Sequence, residues 1–355
     1  MDAFRGITIV AMILVNNPGA WDEVYAPLEH AAWNGWTPTD LIFPFFLFII
    51  GAAITFSLDQ RRGRGARKRE ILASVARRTL LIFGLGIFLN GFPLFDWSAL
   101  RIPGVLQRIA LCYGVTSMLV MTSSVRRQFL TALLLVGGSW LLMVLTPDGW
   151  LRPEATFGAR LDDTLLGGHL LHDGWDPEGV LSTFPAIATT LAGALAGHWL
   201  RSLRPLPTRV AGLAVAGVGA TGLGLLLDRW CPINKSLWSA SYVVFTAGAA
   251  LIGLAVCFWL IDVRGHRRWA TPFIVYGMNP IVAYVLSTLV AKEMFLWRVT
   301  GADGRTLDLH RYIFESIFLP LARPLNASLL YAAAYVLVWL GVASLLYRQR
   351  VLIKI

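Results

Sequence analysis

The chain has 355 residues, of which 56% are hydrophobic and only 15% are charged, and its mean hydropathy is +0.61. A soluble protein needs about 25% charged residues to cover its surface, so this composition excludes a soluble enzyme and a disordered chain. The three cysteines, at 112, 231 and 257, are too few and too scattered for a disulfide framework, and no cluster of Cys and His indicates a metal site. The class that remains is an all-α polytopic membrane protein whose apolar surface faces lipid.

The hydropathy pattern predicts about ten transmembrane helices, since the bilayer core requires roughly 20 apolar residues per helix. They are 4–20, 38–58, 76–92, 104–122, 128–147, 180–200, 208–227, 238–261, 270–290 and 326–347. Segment 309–321 is too short and too polar to span, which favours an interfacial or re-entrant position. Loops 148–179 and 291–325 are the only parts of any size outside the membrane. We therefore expect a single transmembrane domain over 1–355.

Lys and Arg residues predict the orientation of these helices, because cytoplasmic loops are enriched in both. Twenty basic residues lie on one predicted side, including eight in loop 59–78, Arg348, Arg350 and Lys354. Ten lie on the other side, half of them in loop 291–325. Both termini are therefore predicted to be cytoplasmic. The net charge of +10 follows from this topology, so anionic lipid is a more natural partner than nucleic acid, which we do not expect.

A polar segment from His30 to Asp40 precedes the second predicted span. Thr37, Pro38 and Asp40 form a helix start of the capping-box type, which predicts that Asp40 serves the helix terminus. His30 stands just before this start, close to Trp33 and to another tryptophan, as is typical of a membrane interface. A neutral imidazole there can take a proton from an amine or hydroxyl. The alternative is a hydrogen-bonded loop histidine without a catalytic role.

The first predicted span carries polar groups at both ends. Asp2 and Arg5 are three residues apart, which favours a local ion pair on one helix face. Asn16 ends an apolar run and precedes Asn-Pro-Gly, a helix stop. Capping of helix carbonyls and a catalytic role are both open for Asn16.

Other polar residues concentrate toward the predicted outer leaflet, where ionisable groups inside spans are functional candidates. Arg108 is one turn inside the fourth span and requires an anion, either a protein carboxylate or a group of a ligand. Asn279-Pro280 inside the ninth span predicts a kink. Asp176-Pro177-Glu178 is typical of a helix start. The pattern as a whole predicts a cavity lined by Asp2, Arg5, Trp33, Asp40, Arg101, Gln107, Arg108, Asn234, Lys235, Ser239, Tyr242 and Asn279.

Seven motifs resemble, in order and over almost the whole chain, the heparan-alpha-glucosaminide N-acetyltransferase-like multispan acyltransferases. They are DAFRG at 2–6, HAAWNG at 30–35, TPTDLIFP at 37–44, RIPGVLQR at 101–108, DPEG at 176–179, NKSLWS at 234–239 and GMN at 277–279. Set against the lysosomal members, which carry a lumenal N-terminal domain and a further span before the first motif, we expect a short bacterial form, placed as a multi-pass protein in the inner membrane. The alternative is a fragment that starts slightly late, since the first motif begins at residue 2.

The resemblance implies transfer of an acetyl group from acetyl-CoA to the amine of a terminal glucosamine across a membrane. It also implies that His30 is the active-site histidine, that Asn16 is a polar residue beside it, and that a homodimer forms. His30 would act either as a general base or as a transient acetyl carrier. Two other functions stay open from the residues alone: a transporter of a small sugar or anionic solute, and an O-acyltransferase for an envelope glycan.

Overall fold

A computed structural model describes residues 1–146, 152–301 and 304–351. Within these ranges the chain is almost entirely helical, with one short antiparallel hairpin, β1 (Arg298–Thr300) and β2 (Thr306–Asp308), in which Val299 pairs with Leu307. The α-helices of the described part are α1 (Asp2–Val15), α2 (Ile42–Gly63), α3 (Lys68–Gly91), α4 (Val105–Thr122), α5 (Val125–Val144), α6 (Phe157–Leu166), α7 (Val180–Leu200), α8 (Leu206–Leu227), α9 (Ala240–Phe258), α10 (Thr271–Met278), α11 (Pro280–Leu296), α12 (Leu309–Ile313) and α13 (Pro324–Arg348).

Eight helices in the described ranges are long and apolar enough to cross a bilayer. They are α2 with its preceding 3-10 turn Pro38–Leu41, α3, α4, α5, α7, α8, α9 with the π turn Trp259–Val263, and α13. Their positions agree with eight of the ten predicted spans to within about eight residues at either end. The chain is thus an all-α polytopic membrane protein, as the composition predicts.

The ninth predicted span, 270–290, is broken. Helices α10 and α11 are long and apolar enough to cross a bilayer only when taken together, and the chain bends by 73° between them at Asn279. The break lies at Asn279-Pro280 because proline supplies no N–H to continue the helix and its ring clashes with the preceding turn. The predicted kink is confirmed, and the pair is either one broken span or a re-entrant segment.

The first predicted span, 4–20, is wrong in its bounds. Helix α1 ends at Val15, where the N–H of Asn16 still bonds the Met12 carbonyl at 3.1 Å and the Asn17 side chain bonds the Ile13 carbonyl at 2.7 Å. Its 14 residues extend about 21 Å, short of a hydrocarbon core of about 30 Å. The helix stop at Asn-Asn-Pro-Gly therefore outweighs the hydropathy. Helix α1 packs against α2, α10 and α13.

The two long loops contain structure of their own. Loop 148–179, whose residues 148–151 lie outside the described ranges, includes the 3-10 turn Pro153–Ala155 and helix α6. Loop 291–325, without residues 302 and 303, holds the end of α11, the hairpin and α12 with the π turn Phe314–Phe318. That last segment corresponds to 309–321 and is too short to span, as predicted. Lys354 of the predicted cytoplasmic tail lies outside the described residues.

The centre of the bundle is the close contact between α2 and α7. A Cβ atom built on Gly51 would lie 1.8 Å from the Thr190 carbonyl oxygen, and one built on Gly193 would lie 1.8 Å from the Phe48 carbonyl oxygen. Backbones can approach this closely only where both helices present glycine. The contact brings the first turns of α2, α4, α7 and α9 together at one end of the bundle. The polar residues described next lie at that end.

Candidate active site

The segment that carries His30 is held against the loop before α9. The N–H of Gly35 donates to the Ile233 carbonyl at 2.7 Å, and Asn234 Nδ2 donates to the Trp33 carbonyl at 3.1 Å. Gly35 has φ +101°, a left-handed conformation that residues with a Cβ rarely adopt. These contacts fix the position of His30 relative to residues about 200 positions later in the chain.

One carboxylate oxygen of Asp40 accepts hydrogen bonds from two backbone N–H groups. Its Oδ2 atom accepts the backbone N–H of Thr37 at 3.0 Å and that of Ala31 at 3.1 Å, so the predicted capping box at Pro38–Leu41 is confirmed. The carboxylate is buried, with 1% of the side chain exposed. Because its oxygens only accept hydrogen bonds here, the group is an ionised carboxylate held by backbone donors.

The other oxygen of Asp40 contacts His30. Asp40 Oδ1 lies 2.7 Å from His30 Nδ1. An ionised carboxylate can only accept, so the proton of this hydrogen bond is on Nδ1 and the lone pair of the neutral ring is on Nε2. Half of the His30 side chain is exposed, in contrast to its buried partner. The pair therefore presents an oriented, accessible base.

Lys235 contacts this pair from the loop before α9. Its Nζ atom lies 3.0 Å from His30 Nδ1, 3.1 Å from His30 Nε2 and 3.7 Å from Asp40 Oδ1. Because Nζ is nearly equidistant from the two ring nitrogens, it lies beside the ring between them and not in line with the Nε2 lone pair. Burial lowers the pKa of Lys235, and the attraction of the Asp40 carboxylate only partly offsets this. A primary amine thus lies within about 3 Å of both nitrogens of the His30 ring.

An aromatic and cationic wall lies behind the pair. The Tyr242 hydroxyl donates to the Asp40 carbonyl at 2.5 Å, and its ring packs edge-on against Trp238 with centroids 5.3 Å apart. The Arg108 guanidinium lies over the Trp238 ring, 5.0 Å from its centroid. Trp238 also donates its indole N–H to the Thr189 hydroxyl at 3.0 Å, which locks the ring between α7 and α9.

Arg108 is buried, with 1% of the residue exposed, and has no carboxylate partner in the described ranges of the chain. Its Nη2 atom donates to the Pro177 carbonyl at 3.0 Å and to the Ser182 hydroxyl. No Asp or Glu oxygen of the described residues lies within 4.0 Å of it, and its Nε and Nη1 atoms have no hydrogen-bond partner there. Of the two anions predicted for Arg108, the protein carboxylate is not found in the described part of the chain.

Arg101 has the carboxylates that Arg108 lacks. It bonds Asp176 through two parallel contacts, Nε to Oδ2 at 2.8 Å and Nη2 to Oδ1 at 2.7 Å, and Nη2 also bonds Glu178 Oε2 at 2.5 Å. The prediction that Asp176 starts a helix is wrong, since α7 begins at Val180 with Gly179 as its N-cap. Asp176 and Glu178 are site-proximal residues that the sequence did not assign, because their partner lies 75 positions away.

The remaining predicted residues divide between the two ends of the bundle. Ser239 accepts the N–H of Asn234 at 3.0 Å and belongs with the His30 loop. Gln107 is buried against two glycines. A Cβ atom added to Gly86 would lie 2.3 Å from Gln107 Oε1, and one added to Gly104 would lie 2.8 Å from it. Asn16 is exposed beyond the end of α1, and the hydrogen bonds of His30 in the described part of the chain go to Asp40 and Lys235 and not to Asn16.

Asp2, Arg5 and Asn279 lie away from His30. Arg5 pairs with Asp2 at 3.1 Å, the local ion pair that the spacing predicts, and also bonds the Gly277 carbonyl at 3.1 Å. Asn279 donates to the Val351 carbonyl at 2.9 Å, beyond the last turn of α13. The loop after α1 instead contacts the first turn of α13, through Ser328. Asn279 contacts the chain just after the end of α13, whereas the loop that leads from α1 to His30 contacts the start of α13. Asp2, Arg5 and Asn279 therefore lie about the length of α13 away from His30.

Four other histidines, His169, His172, His198 and His310, have structural partners. His169 Nδ1 lies 2.9 Å from the Leu100 carbonyl, and the His172 ring stacks on Trp175 with centroids 4.5 Å apart. In the ranges that the structure describes, no three His, Cys, Asp or Glu side chains are grouped as metal ligands.

A helical bundle with at least eight candidate spans, and a buried carboxylate orienting a half-exposed histidine at one end, define a polytopic membrane protein with an acid–base site. The profile of the family described as heparan-alpha-glucosaminide N-acetyltransferase, catalytic, matches residues 1–222, and the chain belongs to this family. His30 and Asp40 lie inside the matched region, and Lys235 lies beyond it.

Two curated relatives align with the entire chain. The human heparan-alpha-glucosaminide N-acetyltransferase is 30% identical over 421 aligned positions, and the mouse protein of the same name is 28% identical over 420. The chain covers 100% of its own length but 59% and 60% of theirs. The relatives therefore extend well beyond the part that this chain represents.

Proposed function

We propose that the protein transfers an acetyl group from acetyl-CoA to the amine of a glucosamine-type sugar. One observation carries the proposal: the hydrogen bond between His30 Nδ1 and Asp40 Oδ1 leaves Nε2 as an accessible base. Membership of the family and the names of the two relatives support the acyl group and the acceptor class.

His30 acts as the general base in this mechanism. As the acceptor amine attacks the thioester carbonyl carbon, Nε2 takes the amine proton, and the Nδ1 hydrogen bond to Asp40 stabilises the imidazolium that forms. Asn16 is exposed and does not bond His30 in this structure. In the proposal, its amide donates a hydrogen bond to the developing oxyanion of substrates bound between the two residues. The thioester C–S bond then breaks, and CoA leaves as a thiolate that takes up a proton.

Direct transfer is favoured over a two-step route in which His30 itself carries the acetyl group. A thioester is already an activated acyl donor, so a protein that binds both substrates gains little from a covalent intermediate. A labelled acetyl group trapped on His30 in the absence of acceptor would contradict direct transfer.

The two substrates approach from opposite faces in this proposal. The positive-inside pattern assigns the His30 end of the bundle to the outer side, where an exported sugar arrives, and leaves acetyl-CoA to the cytoplasmic side. Arg and Lys of segment 61–69 are exposed around the junction of α2 and α3 and are candidates for the CoA phosphates. We place the protein in a bacterial inner membrane, with a homodimer as its proposed assembly.

Labelled acetyl-CoA and glucosamine, mixed with purified protein in detergent, test this function. We expect labelled N-acetylglucosamine from the wild type and a rate lower by about 100-fold or more from His30→Ala. His266→Ala, at an exposed loop histidine near the opposite end of α9, is the matched control and should keep the wild-type rate. Undiminished transfer by His30→Ala would remove the catalytic assignment.

A wild-type protein that transfers acetyl only to sugar hydroxyls would instead be an O-acyltransferase. Solute uptake into vesicles that requires no acyl donor and survives His30→Ala would show a transporter.

A further inference from the structure

Lys235 places a primary amine beside the His30 ring. Its Nζ atom lies 3.0 Å from His30 Nδ1 and 3.1 Å from His30 Nε2, so the amine is within reach of the base but has to move around the ring edge to meet the Nε2 lone pair. The same nitrogen is 3.7 Å from Asp40 Oδ1. In the absence of acceptor, the amine nearest to the base is thus one of the protein's own side chains.

The surroundings of Lys235 favour reaction at this amine. About a quarter of its side chain is exposed, so an acyl donor that reaches His30 also reaches Nζ. Burial of the rest lowers the pKa of Lys235 and increases the fraction of neutral, nucleophilic amine. An alkyl amine and the 2-amino group of glucosamine are the same functional group, so a site that acetylates one has the chemistry to acetylate the other.

We propose, resting on the acetyltransferase function proposed above, that Lys235 is a site of self-acetylation. His30 Nε2 takes a proton from Nζ, and the Nζ lone pair attacks the carbonyl carbon of the acyl thioester. The C–N bond forms, the C–S bond breaks, and the thiolate leaves and is protonated. In total, one ammonium and one acetyl thioester give one amide, one free thiol and one proton released to water. No oxidant or reductant is needed.

Acetylation of Lys235 closes the site. The amide carries no charge, so the ionic contact with Asp40 is lost. The acetyl group itself occupies the space beside Nε2 into which an acceptor amine has to move. The modification accumulates when the donor is present without an acceptor, and bound acceptor prevents it by occupying the same position.

The chain contains its own controls, because it has only four lysines: Lys68, Lys235, Lys292 and Lys354. Lys68 is exposed at the start of α3 and reports non-enzymatic acetylation. The Lys292 ammonium donates to the carbonyls of Leu89 and Phe92, at 2.5 and 3.0 Å. We expect neither of them to react at the rate of Lys235.

The test incubates the full-length protein in detergent with labelled acetyl-CoA alone, and maps the label by digestion and mass spectrometry. A parallel reaction with glucosamine measures transfer to the sugar. We expect label on Lys235 well above Lys68, about 100-fold slower labelling in His30→Ala, protection by glucosamine, and resistance of the label to hydroxylamine. Lys235→Arg should remove the label.

The outcomes separate this inference from the proposed function. Transfer to glucosamine without label on Lys235 overturns self-acetylation and leaves the function standing. His30-dependent label on Lys235 without transfer to glucosamine supports self-acetylation and shows that the acceptor is wrong. Equal labelling of Lys235 and Lys68, or labelling undiminished in His30→Ala, overturns the inference, and absence of both products overturns both proposals.

Discussion

His30 Nδ1 and Asp40 Oδ1 are joined by a 2.7 Å hydrogen bond, and the same carboxylate accepts the backbone N–H of Thr37 at the start of the helix that continues into α2. The turn that begins a transmembrane helix therefore also sets the orientation of the imidazole. Capping and catalytic positioning are not alternatives for Asp40, because its two oxygens serve one role each.

Asp40→Asn should lower acetyl transfer by about 100-fold, since an amide can present the wrong tautomer of His30 and cannot stabilise the imidazolium. In a His30→Ala background the same substitution should have almost no further effect on the rate, because the two residues act as a unit. Turnover of the wild type, both single variants and the double variant measures this coupling. Losses that simply multiply would show that Asp40 acts independently of His30.

Asn234→Ala should destabilise the protein and slow transfer. Asn234 is fully buried and links the His30 segment to the Lys235 loop, through Nδ2 to the Trp33 carbonyl at 3.1 Å and through Oδ1 from the Leu237 N–H at 2.9 Å. Removing it leaves buried polar groups unsatisfied at a cost of about 1–3 kcal/mol. Thermal unfolding in detergent and turnover both report the change.

The matched control for this variant is Asn326→Ala. Asn326 is exposed and also joins two segments, through its contact with the Tyr25 hydroxyl. We expect wild-type stability and turnover from it. Equal effects of the two substitutions would mean that the link made by Asn234 has no special role.

Gly51→Ala should disrupt the packing of α2 on α7. The new Cβ atom would lie 1.8 Å from the Thr190 carbonyl oxygen, so the two backbones have to separate. Overpacking of this kind costs about 1–3 kcal/mol. Gly137→Ala on α5 is the control, because a Cβ atom there meets nothing within 4 Å. A melting temperature lowered equally by both changes would contradict the close helix contact.

Stability should fall with rising pH through the titration of Asp162. Burial raises the pKa of Asp162 to about 6, from an ordinary value of 3.8, although the Val180 N–H bond at 2.7 Å opposes the shift. An acid whose folded pKa is raised stabilises the fold fully below pH ~4, and this contribution is lost as pH rises through about 6. The loss is on the order of 2 kcal/mol.

Asp162→Asn keeps an oxygen for the Val180 N–H and cannot ionise, so its melting temperature should rise relative to the wild type between pH 4 and pH 7. Asp163→Asn, at an exposed position on the same helix, serves as the control. A constant difference between Asp162→Asn and wild type across this pH range would show that Asp162 does not titrate there.

Local signals in the sequence predicted much of the fold and part of the site. Eight spans follow from hydropathy, because lipid requires long apolar helices with all backbone groups paired internally. The start at Thr37–Asp40 and the break at Asn279 follow from capping and proline chemistry. Hydropathy failed for α1, where the apolar run continues up to Val15 but Asn-Asn-Pro-Gly ends the helix at that point.

The sequence by itself determined that this is a polytopic membrane protein and singled out His30 as a candidate base, because composition and helix starts depend on neighbours along the chain. Only the tertiary structure decided that Asp40 orients His30, that Lys235 lies beside it, and that Arg101 rather than Arg108 has the carboxylate partners. Lys235 is 205 positions from His30, and Asp176 is 75 from Arg101. Contacts at such separations arise from the packing of whole helices, which no local pattern encodes.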